Sequence, residues 1–123
     1  MSKQELQREI RALYAQADGG TGLAALLDGI CDALRKHPDA LAQINGSYAV
    51  RTLDTGLSRA FALKNGTFAE LPAESWTDVT IAGREGDLLR VFRRELSPMA
   101  ALLRGKLRVS GDKAALMRFA EFL

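Results

Sequence analysis

The sequence predicts an α+β fold: a five-stranded, mostly antiparallel sheet covered by helices. Three observations carry this. Apolar residues recur at helical spacing in the first forty residues and again after residue 87. Between Tyr48 and Leu71 they alternate with polar ones, broken by two turn signals. Strands are thereby segregated from helices, apart from one short alternating run at 106–110. A length of 123 residues, 47% of them hydrophobic, suits one domain with a proper core over 1–123. Residues 1–45 form its helical N-terminal part, and 46–123 carry strands, helices, the fifth strand and a terminal helix.

Ser2 and Glu5 have capping-box spacing, and Leu6, Ile10, Leu13, Tyr14 and Ala17 follow on one face. Asp18-Gly19-Gly20 stops this helix. Leu23, Leu26, Leu27, Ile30, Cys31 and Leu34 form the stripe of a second helix, with Thr21 as its expected N-cap. His37-Pro38 ends it, and a short extra turn runs over 39–44.

Tyr48, Val50 and Thr52 alternate with Ala49, Arg51 and Leu53 before the turn Asp54-Thr55-Gly56. A second strand follows through Phe61 and Leu63. Asn65-Gly66 is the strongest hairpin signal, since both residues accept the positive φ of a type I′ turn. A third strand over 67–71 returns to Pro72, and 76–82 reads as a fourth. Leu88, Leu89, Phe92 and Leu96 share a helical face. Ser97-Pro98 starts another helix, with Ser97 as N-cap, and Gly105 ends it. Leu107 and Val109 face one way in the fifth strand. Asp112 caps a last helix with a wide apolar face, including Leu116, Met117, Phe119 and Ala120.

No set of residues in this pattern performs catalysis. The single histidine, His37, sits beside a proline and reads as a surface residue, because zinc sites need three or four ligands. Cys31 lies on an apolar face and reads as core. There is no nucleophile elbow and no phosphate loop. Gly83-Arg84-Glu85-Gly86 lies between strand and helix but lacks the lysine and hydroxyl of a phosphate site. Asp78, unusual inside a strand, is expected to face solvent or bond neighbouring backbone. The reading is no enzyme, no metal and no cofactor.

Charge narrows the partners. The chain carries a net +2, but residues 84–118 hold nine basic side chains against four acidic ones. That balance favours a solvated face or transient contact with an anionic membrane surface. Nucleic acid is not expected, because Phe92, the aromatic among Arg90, Arg93 and Arg94, points with Leu88 and Leu96. One cysteine, a polar N-terminus and no apolar run of membrane-spanning length set the expectation of a cytoplasmic protein.

Asp78-Val79-Thr80-Ile81, Asp87-Leu88-Leu89, Ser97-Pro98-Met99-Ala100 and Gly105-Lys106-Leu107-Arg108-Val109-Ser110-Gly111-Asp112 follow in order before Ala115-Leu116-Met117. This succession resembles the sterol carrier protein (non-specific lipid-transfer) domain family, as a small stand-alone prokaryotic-type member. The resemblance implies helices enclosing an apolar tunnel against the sheet. The ligand implied is a fatty acid, a fatty acyl-CoA or a sterol or isoprenoid. Phe61, Trp76, Phe92, Met99, Leu103, Leu116, Met117 and Ala120 are the expected ligand-binding residues, with Met99 and Met117 as adaptable gap fillers. The alternative is an accessory module that docks a partner enzyme or forms a homodimer through the amphipathic first helix.

Overall fold

The computed structural model describes residues 2–16, 22–42 and 44–120. Helix α1 spans Ser2–Gln16 and α2 spans Leu23–Lys36. The apolar stripe of each is spent on the core: Leu6 and Ile10 of α1, and Leu23, Leu26, Ile30 and Leu34 of α2, are buried. Burying a leucine side chain contributes roughly 1.5–3 kcal/mol. Gly22 occupies the N-cap of α2 and offers no side chain. The expected cap Thr21 and the expected stop Asp18-Gly19-Gly20 lie outside the described residues, as do the side chains of Ser2 and Ala120. Glu85 reaches in instead, and its Oε2 accepts the Leu23 N–H at 3.2 Å.

After a 3₁₀ turn over Pro38–Leu41 come β1 (Gly46–Thr52), β2 (Ser58–Lys64) and β3 (Thr67–Leu71). Asn65 and Gly66, at φ 52° and 83°, close the β2–β3 hairpin as the sequence requires. Strand β4 spans Val79–Gly83 and β5 spans Leu107–Gly111. The sheet order is β3-β2-β1-β4-β5. Every pairing is antiparallel except β1 with β4.

The fourth strand starts three residues later than its alternation predicts. Thr77 Oγ1 donates to the Val79 carbonyl at 2.9 Å. Asp78 is tied to Ser47: its Oδ2 accepts the Ser47 N–H at 3.0 Å, and its own N–H donates to Ser47 Oγ at 2.8 Å. The aspartate therefore bonds neighbouring backbone, as expected. Its carbonyl also accepts the Asp112 N–H at 2.9 Å. Gly111, at φ 98°, passes so close that a Cβ there would lie 1.9 Å from that carbonyl oxygen. The Gly111-Asp112 step thus closes β5 onto β4, and Asp112 Oδ1 then accepts the Ala115 N–H at 3.1 Å to start α5 (Lys113–Ala120).

Cross-strand partners share a sheet face. Tyr48, Phe61, Leu63, Phe68, Val79, Ile81 and Val109 lie on one face, and with the helices' buried side chains they form a single core. Arg59 of β2 binds Asp28 of α2 and Glu70 of β3, tying α2 to the sheet.

Helices α3 (Glu85–Phe92) and α4 (Pro98–Leu103) end by the same hydrogen-bond pattern. After α3, the Glu95 N–H donates to the Arg90 carbonyl (2.8 Å) and Arg94 N–H to Val91 (3.1 Å). After α4, Lys106 N–H donates to Ala101 (2.9 Å) and Gly105 N–H to Leu102 (3.2 Å). Both are Schellman caps, which place one residue in the left-handed region. At α4 that residue is Gly105, at φ 71°; at α3 it is Arg94, at φ 62°. A side chain in that conformation costs roughly 1–2 kcal/mol.

Candidate ligand-binding site

The apolar residues of α4 are arranged inside out. Ala101 is buried, while Met99 (64% exposed), Leu102 and Leu103 (81% exposed), three and four residues apart, make a stripe on the solvent side. Ser97 and Pro98 start the helix as predicted, with the Ser97 hydroxyl accepting the Ala100 N–H at 3.5 Å. On α5, Ala115 is buried, Leu116 half-buried and Met117 70% exposed. Ile81 and Val109, paired across β4 and β5, are also only half-buried against the core. Each of the two short helices thus keeps large apolar side chains in contact with water, where hydrocarbon would be better placed than water.

The eight residues expected to bind ligand are not gathered in one place. Phe61 is buried in an aromatic row, 5.6 Å from Tyr48 and 5.5 Å from Phe68 between ring centroids. Phe92 is half-buried at the end of α3, 6.3 Å from Tyr14. Trp76 stands 81% exposed in the β3–β4 connection. Met99, Leu103 and Met117 are solvent-facing instead of filling gaps in an enclosed volume. Leu116 packs against the core, and the Ala120 side chain is outside the described residues.

The secondary readings fare differently. His37 is not a plain surface histidine: its side chain is largely covered, and Nε2 lies 3.1 Å from Glu9 Oε2, joining the end of α2 to α1. Cys31 is core, and burial pushes its thiol up to about 11 despite nearby Arg59. The N-terminus of α3 is filled from within the chain. Glu85 N–H donates to Asp54 Oδ1 (3.0 Å), and Glu85 Oε1 accepts from Thr55 Oγ1 (2.9 Å). Leu6 and Ile10, on the face of the first helix that the alternative reading offers to a partner, are covered in the core. Among the described residues no cluster of His, Cys, Asp and Glu could hold a metal, and no helix is long and apolar enough to cross a membrane.

A cavity of about 450 Å³ opens between α1 and the α3–α4 turn, lined by Arg11, Tyr14, Arg93 and Arg94. Burial holds the Tyr14 phenol well above its ordinary pKa, with the Arg94 charge opposing. Nothing local in the sequence announces this group, because α1 and the turn lie about eighty residues apart; the Arg93-Arg94 pair directly after a helix is its one visible sign.

The model of the SCP-2 sterol transfer family matches residues 25–123. No curated protein matches the chain in sequence. Among solved structures, the chain is similar to the inverting sec-alkylsulfatase Pisa1 from Pseudomonas sp. (TM-score 0.65, 20% identity, covering 88% of this chain and 19% of that one). It is similar to Sterol Carrier Protein 2 Like 2 from Aedes aegypti (TM-score 0.54, 20% identity, 100% of this chain and 97% of that one). A third is palmitated SCP2L2 from Aedes aegypti (TM-score 0.50, 21% identity, 98% of this chain and 93% of that one). The chain thus spans under a fifth of the alkylsulfatase. These identities establish a shared fold, a mostly antiparallel sheet with helices, as the residues of the back half implied. With residues 25–123 matched, the chain belongs to the SCP-2 sterol transfer family.

Proposed function

We propose that this chain binds one apolar, lipid-like molecule, a fatty acid, fatty acyl-CoA, sterol or isoprenoid, and performs no chemistry on it. The observation that carries the reading is the inverted α4, whose Met99, Leu102 and Leu103 face solvent. Met117 of α5 is likewise exposed, and Ile81, Val109 and Leu116 are only half-buried. Bound hydrocarbon covers these side chains, and the apolar tunnel implied by the family forms where α4 and α5 close over it. Family membership and the palmitated relative support the ligand class.

The energetics are adequate. Burying about 14 methylenes is worth roughly 11 kcal/mol gross at ~0.8 kcal/mol each. Association and ordering cost about 4–15 kcal/mol. At the lower end of that cost about 7 kcal/mol remains, an affinity of roughly 10 μM without any charged contact.

The second reading, an accessory module that docks a partner enzyme or another copy, now rests on the same α4 face, since the α1 stripe is covered. One experiment separates the two. The purified chain is denatured and extracted, bound lipid is identified by mass spectrometry, and a fluorescent fatty acid is titrated into the native protein. Saturable uptake at one site supports the lipid reading. No bound lipid and no uptake, with a concentration-dependent dimer in light scattering, supports the docking reading.

A further inference from the structure

Helix α1 turns its apolar stripe inward, with Leu6 and Ile10 fully buried. Helix α4 does the reverse. It is six residues long, about 9 Å at ~1.5 Å per residue, and turns Met99, Leu102 and Leu103 to water. It is nevertheless held fast. Ala101 is fully buried, the Ser97 hydroxyl caps its start, and the Lys106 N–H closes its end on the Ala101 carbonyl at 2.9 Å. An apolar face that is already fixed loses little conformational freedom when it is covered.

Cations stand at both ends of this face. Arg11, Arg93 and Arg94 line the cleft at the turn into α4, and Arg104 and Lys106 follow its last turn. All but Arg93 are exposed. Two acids answer them in part: Glu95 Oε2 lies 3.1 Å from Arg93 Nη2, and Asp87 Oδ1 lies 4.0 Å from Lys106 Nζ. Five cations against two acids leave a surplus of three positive charges about α4 and the turn before it. The helix is no longer than the Debye length of about 10 Å at about 0.1 M salt, so both ends act on one approaching surface.

We propose that α4 is the element by which this protein settles on an anionic phospholipid surface. Met99, Leu102 and Leu103 enter the acyl boundary, and the cations at the two ends of the helix meet the head groups. The make-up of the face selects this occupant. A second copy seated on the same face would set the surplus charge against itself. A neutral apolar partner would cover the stripe and leave the cations unanswered. An anionic bilayer offers hydrocarbon to the one and phosphate to the other. The inference rests on the lipid proposal for the task of the outward stripe, and adds where the molecule meets the source of its ligand.

The test is sedimentation of the full chain with vesicles of phosphatidylcholine alone and of phosphatidylcholine mixed with phosphatidylserine. A fluorescent fatty acid is titrated separately into the same protein. Three variants at exposed positions accompany the wild type: Arg104→Gln, Leu103→Ser and, as a control in the β3–β4 connection, Trp76→Ala. Their melting temperatures should equal that of the wild type. The wild type is expected to sediment with the mixed vesicles and not with the neutral ones. Raising salt to about 1 M, where the Debye length is about 3 Å, should release it. Arg104→Gln should weaken the binding about fivefold and Leu103→Ser about tenfold, while Trp76→Ala binds as the wild type does. The inference is overturned by no sedimentation with mixed vesicles, by equal sedimentation with both kinds, or by either α4 variant binding undiminished. Trp76→Ala weakening the binding as much as Leu103→Ser also overturns it. Saturable fatty acid uptake without vesicle binding sinks this inference and leaves the lipid proposal intact. Vesicle binding without fatty acid uptake does the opposite.

Discussion

The two ends of this molecule treat identical residue types in opposite ways. On α2, leucines three and four residues apart are driven into the core over Tyr48, Phe61 and Leu63. On α4, Met99, Leu102 and Leu103 have the same spacing and face water, while Ala101 packs inward. The sheet beneath differs in step: Phe61 and Leu63 are buried, whereas the Ile81–Val109 pair is half-covered. An apolar stripe that the fold consumes stabilises the fold. One that the fold leaves outside is available to a ligand.

The sharpest way to break this contrast is to cut into the consumed stripe. Leu34→Ala, at a fully buried site, should cost about 2–5 kcal/mol in chemical denaturation. The folded fraction should bind lipid normally. Gly111→Ala tests the joint between the two ends. Its Cβ would collide with the Asp78 carbonyl, and a loss of about 3 kcal/mol is expected by the same assay.

A smaller effect concerns Cys31 of α2. Burial raises its thiol to about 11, so the folded state holds the proton more tightly than the unfolded chain. The associated stability is complete below about pH 9 and disappears as pH rises through about 11. Denaturation curves at pH 8, 9.5 and 11 should therefore fall more steeply for wild type than for Cys31→Ala. A thiol reagent at pH 8 should modify Cys31 only on unfolding. Smallest of all is the double substitution Leu103→Ser with Met117→Ser. Stability should stay within about 0.5 kcal/mol, while fluorescent fatty acid affinity drops about tenfold or more, since two desolvated side chains are lost from the contact.

Features set by neighbouring residues were legible in the sequence. Asn65-Gly66, Ser97-Pro98 and the Asp112 cap act within four residues, and the structure contains each. The Gly105 to Asp112 succession also has a local explanation, a left-handed cap at one end and a close approach to Asp78 at the other. Helical spacing identified the α4 stripe but not its direction. Periodicity marks a face without saying what lies opposite it. The parallel β1–β4 pairing, the His37–Glu9 contact and the arginine cleft depend on residues distant in the chain. Arg94 was illegible for another reason: the cap it occupies is usually announced by glycine.

In the proposed complex, hydrocarbon lies on the side chains that α4 and α5 turn outward. The most direct test of this placement is the measurement of intermolecular nuclear Overhauser effects between a bound fatty acid and the methyl groups of specifically labelled methionine and leucine. Cross-peaks are expected from the acyl chain to Met99, Leu103 and Met117, and none to Leu26 or Leu34. Saturable binding whose cross-peaks avoid α4 and α5 altogether would contradict it.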